Sequence, residues 1–119
     1  MQKWSPSFLY TALVSGNDRH GKVVPNRTSL PAIRRFCTLL KRQLGGNTKI
    51  KLKDAIGDTL TWGRESTKIV FVVTESSKLA DAVFEFATAP NGPLGAMNQD
   101  EIWIMRSRIA LLKAVFPPH

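Results

Sequence analysis

The sequence predicts an α+β domain: an antiparallel sheet of four to five strands, helices packed on one face, and a long C-terminal helix. Three observations carry that prediction. Residues 48–54, TKIKLKD, alternate strictly, with Ile50 and Leu52 on one side and Lys49, Lys51 and Lys53 on the other, which is the two-residue period of a half-buried strand. Residues 68–74, KIVFVVT, form a continuous β-branched run of the kind that fills a central strand. Ile33, Phe36, Cys37, Leu40 and Leu44 recur at helical spacing and make one core stripe.

The first strand is Phe8 to Val14, apolar on both faces, because Leu9 and Leu13 interleave with Phe8, Tyr10, Ala12 and Val14. GNDRHG at 16–21 is a turn by composition. KVVPN at 22–26 returns as a short edge strand, since Pro25 has no N–H to donate. Ser29 as N-cap and Pro31 in the first turn open a helix that Gly45 and Gly46 close. After the lysine strand, AIGD turns the chain and TLTWG at 59–63 is its hairpin partner.

Beyond the central strand, Ser77 caps a helix to about Thr88 that points Leu79, Val83 and Phe86 at the core and leaves Asp81 and Glu85 solvated. APNGPLGAMN at 89–98 is a loop, and its GPLGAM segment at 92–97 reads as native chain. Asn98 and Glu101 resemble a capping box. They introduce a helix over 99–116, stopped by Pro117 and Pro118, with a heptad-like seam of Ile102, Met105, Ile109 and Leu112. The predicted order is β-β-α-β-β-β-α-α, in a single domain over 1–119.

One cysteine, Cys37, rules out an intramolecular disulfide and a cysteine-rich zinc site. Cys37 lies on the apolar stripe of its helix and reads as a small hydrophobe. No phosphate loop, dinucleotide fingerprint or serine elbow occurs, so neither a cofactor nor a metal is expected. The absence of a signal peptide or an apolar run of about 18 residues, with the single thiol, points to the cytoplasm or nucleus.

Charge is the strongest functional signal. The net charge is +8, and it is unevenly placed: residues 1–55 hold 11 Lys and Arg against Asp18 and Asp54, while 56–119 hold 6 against 7 acids. Such asymmetry points to a polyanion. The cations fall into a loop set (Arg19, Lys22, Arg27), a helix face (Arg34, Arg35, Lys41, Arg42) and a strand comb (Lys49, Lys51, Lys53). Lysines two apart on a strand sit about 6.6 Å apart, a spacing suited to successive phosphates. Trp62, on the expected hairpin partner, is the candidate base-stacking platform.

The expectation is a non-enzymatic nucleic-acid-binding protein with RNA or single-stranded DNA as partner, the helix face and the lysine comb forming one basic surface. Self-association through the C-terminal seam makes a dimer or larger oligomer, as in a small viral or phage coat-type protein. Two alternatives stand beside it. One is a small ribonuclease using His20 with a carboxylate such as Glu65. The other is a matrix-like protein that bridges nucleic acid and an anionic membrane surface.

Overall fold

The computed structural model describes residues 3–59 and 63–118. The elements are β1 (Trp4–Ser15), α1 (Asn26–Leu44), β2 (Lys49–Thr59), β3 (Gly63–Thr74), α2 (Ser77–Thr88), a 3₁₀ turn at Gly95–Met97, and β4 (Trp103–Leu112). The four strands form one sheet in the order β2-β3-β1-β4, antiparallel throughout. Each helix therefore joins two parallel strands with an antiparallel one between them, the split β-α-β unit repeated in the ferredoxin-like arrangement.

The α+β class and the antiparallel sheet agree with the sequence reading; the element order does not. KVVPN contributes only an isolated bridge between Asn17 and Val23, so the fifth strand is absent among the described residues. Of TLTWG, Thr59 ends β2, Gly63 begins β3 and the two pair with each other, while residues 60–62 lie outside the described residues. The predicted helix over 99–116 is instead β4. Residues 102–105 and 109–112 are apolar at nearly every position, so a period of 3.5 and a period of 2 fit them equally well. Tertiary context decides: β1 is 12 residues long, and its side away from β3 pairs with β4 from Trp4–Leu112 to Leu13–Trp103. Asn98 does not cap a helix. It adopts the left-handed conformation (φ 54°, ψ 44°) that ends the 3₁₀ turn.

Both helices lie on one face of the sheet. Tyr10, Ala12, Val14, Val70 and Val72 turn toward them and are buried against Ile33, Phe36 and Leu40 of α1 and Ala80, Val83 and Phe84 of α2. Tyr10 stacks on Phe84 (4.8 Å between centroids), and Phe36 meets Phe84 edge-on at 5.3 Å. Each such fully buried ring contributes about 2–3 kcal/mol. Segment 92–97 is integral to this core: Leu94 and Met97 are buried, and a side chain at Gly95 would collide with the Ala89 carbonyl.

Helix boundaries moved for identifiable reasons. α1 opens at Asn26 behind Pro25, so Ser29 is buried inside the first turns rather than capping, and Pro31 lies within the helix. Gly45, at φ 85°, closes it as expected and returns its N–H to the Lys41 carbonyl. Ser76, not Ser77, caps α2, accepting from the Leu79 N–H. α2 buries Ala80, Val83, Phe84 and Ala87, which rotates Leu79 and Phe86 out to 50% and 58% exposure.

Candidate nucleic-acid interface

The outward side of α1 carries the cations. With Ile33, Phe36 and Leu40 buried, the helical period leaves Arg34, Arg35, Thr38, Lys41 and Arg42 exposed. Among the described residues the two ion pairs are Lys68–Asp54 at 2.8 Å and Arg106–Asp81; none of Arg34, Arg35, Lys41 and Arg42 has an acid partner among them. Lys41 and Arg42, in the last turn, complement the helix dipole. The dipole gives Arg34 and Arg35 no such support.

Three of the arginines surround one hollow. Arg34, Arg35, Thr38 and Arg42, together with Leu39, Phe86 and Pro93, line a cavity of about 400 Å³ between α1, α2 and the loop that follows. Leu39 and Phe86 continue its floor into a second hollow of about 290 Å³, lined by Gln43, Leu79, Ala82 and Val83 as well. The result is a groove with an apolar, partly aromatic floor and guanidinium groups on one bank. Phe86 is the residue the sequence reading missed. Its helical spacing with Leu79 and Val83 looked like a core stripe, but the smaller stripe of Ala80, Val83, Phe84 and Ala87 packs closer to the sheet.

The lysine comb is elsewhere. Ile50 packs on the core beneath the helices, so Lys49, Lys51 and Lys53 point to the opposite, helix-free face of the sheet. The helix face and the comb are therefore two surfaces on opposite sides of the molecule, not the single basic surface expected. Arg27 is exposed at the start of α1. Arg19 is committed locally: its guanidinium donates to the Gln99 carbonyl at 3.1 Å, and its backbone N–H to the Asn98 carbonyl. Lys22 is exposed on the same loop. Trp62 lies outside the described residues.

His20 is exposed on its loop, and the side chain of Glu65, its expected partner, lies outside the described residues. Asp18 is its charged neighbour, but Asp18 Oδ1 accepts from the backbone N–H groups of His20 (2.8 Å) and Lys22 (3.1 Å). Those donors, that of His20 foremost, hold the Asp18 carboxyl below its ordinary pKa and make it a loop-shaping residue. Burial pushes the half-buried Cys37 thiol up, away from nucleophilic use. Among the described residues no cluster of three or more His, Cys, Asp or Glu suits a metal.

A polar cluster that the sequence did not announce ties β1, α2 and β4 together. The buried Tyr10 hydroxyl lies 2.6 Å from Asp81 Oδ1 and 3.1 Å from the Ser77 carbonyl, and Arg106 pairs with the other Asp81 oxygen. Burial, then the Asp81 carboxylate, raise the Tyr10 pKa to about 12. Donation from Tyr10, and then from Arg106, lowers that of Asp81. These side chains, with Phe84, Glu85, Thr88 and Ile104, line a hollow of about 490 Å³.

No protein-family model matches the chain, and no curated protein matches its sequence. Solved structures do match its fold. A phage SAM lyase in complex with S-methyl-5'-thioadenosine is 12% identical, with 92% of this chain and 87% of that one covered at a TM-score of 0.58. The de novo designed protein Foldit4 is 9% identical, with 87% and 97% covered at 0.52. A putative PII-like signaling protein from Thermus thermophilus is 12% identical, with 92% of each chain covered at 0.49. What the first two share with this chain is the fold, and a designed protein among them illustrates that this fold comes without a fixed function. No described helix is long and apolar enough to cross a membrane.

Proposed function

We propose that this protein binds RNA or single-stranded DNA through the arginine-lined groove between α1 and α2. The observation that carries the reading is the convergence of Arg34, Arg35 and Arg42, none with an acid partner among the described residues, on one hollow floored by the exposed Phe86. Guanidinium groups donate two parallel hydrogen bonds to a phosphate. A phenyl ring beside them offers an unstacked base a surface to stack on. A duplex keeps its bases stacked inside and has no use for that ring, so a single strand fits better. Lys41 adds a further phosphate contact at the helix end, and Lys22 and Arg27 extend the positive field.

Fluorescence anisotropy with a labelled oligonucleotide tests it. Four phosphate contacts, from Arg34, Arg35, Lys41 and Arg42, should give a slope of log K against log salt of about −3 for a single strand. Absence of binding to RNA, single-stranded and duplex DNA at low salt would reject the reading. Anionic vesicles run in parallel separate the membrane-bridging alternative.

A second reading attaches to the hollow beside Asp81. Asp81 is already paired with Arg106 there, but the lining also sets the Glu85 carboxylate near Tyr10 and Phe84, which suits a small organic cation. The phage SAM lyase of the same fold takes a sulfonium compound, S-adenosylmethionine, and the matching probes are that compound and S-methyl-5'-thioadenosine. A rise in melting temperature with either, lost in Glu85→Gln, supports the reading, and no shift at millimolar ligand removes it.

A further inference from the structure

The helix-free face of the sheet is apolar across three strands. The register aligns Phe71, Thr11 and Met105 in one row across the sheet, and Ile69, Leu13 and Trp103 in the next. Lys51 and Lys53 stand at the β2 end of these rows, and no acid interrupts them. At the β4 end Trp103 is 59% and Met105 44% exposed. No described segment covers this face.

We propose that a second copy of this chain covers it, sheet packed on sheet. The composition is that of an interface centre, with Trp, Phe and Met present and charge absent from the middle. The size is also right. Four strands about 4.8 Å apart and about 30 Å long outline about 600 Å² before side-chain relief is added, near the ~800 Å² per partner of a stable interface.

Charge selects the arrangement. Stacking β2 on β2 would bring the two lysine combs together. Turning the second copy about an axis along the strands lays each comb over Trp103 and Met105 of the other copy, where an ammonium over an indole face is favourable. The centre is mostly aliphatic, with Leu13 and Ile69 between the comb and Trp103, and it gives nucleic-acid bases little π surface. That favours protein as the occupant. The seam expected from sequence divides accordingly: Met105 and Ile109 belong to this face, whereas Ile102 packs on the core side and Leu112 shares the Ile102 side of the strand.

This inference does not rest on the nucleic-acid reading, since the arginine groove is on the other side of the molecule. Sedimentation equilibrium of the full chain, freed of nucleic acid at high salt, tests it. The wild type should have the mass of two copies at tens of micromolar. Thr11→Arg, at the centre of the face, should weaken association at least about 100-fold and leave the circular-dichroism spectrum unchanged. Met105→Lys, at an exposed site, serves if Thr11→Arg fails to fold. A larger oligomer that both variants dissociate keeps the surface and changes only the number of copies. A monomeric wild type, including one whose nucleic-acid binding Thr11→Arg abolishes, overturns the proposal, as does an oligomer indifferent to both variants.

Discussion

Charge reversal of Arg34, Arg35 and Arg42 to glutamate is expected to weaken oligonucleotide binding by about 100-fold near physiological salt. Each exposed phosphate contact is worth roughly five-fold, and three act together. The salt slope should shrink by about 2, since three counterion-releasing contacts are gone. Stability should hardly change. The three side chains are exposed and make no ion pair among the described residues, and surface substitutions usually stay within about 0.5 kcal/mol.

The decisive comparison is the same reversal at Lys49, Lys51 and Lys53. Those lysines lie on the other face of the sheet, and packed layers are about 10 Å apart before side chains are counted. That separation exceeds the Debye length of about 8 Å, so their influence on the groove is screened to a few-fold. Equal losses from the two triple variants would mean that net charge alone drives binding, and the groove would have no special role. Phe86→Ala separates stacking from charge: it should lower affinity several-fold and leave the salt slope unchanged.

The two surfaces acquire a common purpose if the sheet face is self-associating. Packing two copies through their sheets turns both α1 grooves outward on opposite sides. Such a dimer holds two strand segments at once, and a polymer that reaches both grooves is held by avidity rather than by new contacts.

What the sequence made legible was local. Strict alternation at 48–54 located β2, because it fits a period of two and not of 3.6, and the run at 68–74 located the heart of β3 through its β-branched residues Ile69, Val70, Val72 and Val73. The apolar stripe of α1 was legible by its period as well, and with it the exposure of Arg34, Arg35, Lys41 and Arg42. β4 was not legible, because four-residue apolar blocks at both of its ends satisfy helix and strand alike. Only the unpaired side of β1 decides between them. The groove was hidden one level higher. Its arginines were visible in sequence, but Phe86 becomes surface only when α2 rotates its alanine stripe onto the sheet, a choice made by packing distance. The same rotation brings Asp81 under Tyr10, so a residue that reads as solvated becomes half-buried against the tyrosine hydroxyl.

That contact gives the last prediction. Tyr10 is the only tyrosine in the chain, so phenolate absorbance reports it alone. Its titration midpoint is expected at about 12 rather than the usual 10. Burial is the first cause, and the hydrogen bond that the hydroxyl donates to the ionised Asp81 is the second. A folded-state pKa above the unfolded one contributes stability that is complete below about pH 10 and disappears as the pH rises through 12. Two units correspond to about 3 kcal/mol. The fold should therefore weaken over that alkaline window, and Tyr10→Phe should flatten the dependence there. Asp81 behaves in the opposite sense. Its lowered pKa contributes stability above the unfolded carboxylate value, which is lost as the pH falls through the acid range. Asp81→Asn should remove that acid limb and bring the Tyr10 midpoint part of the way back toward 10, because burial persists when the carboxylate charge is gone. A wild-type midpoint near 10 in the folded protein would mean that the hydroxyl is solvated, and that neither Asp81 nor the packing of β1 against α2 encloses it.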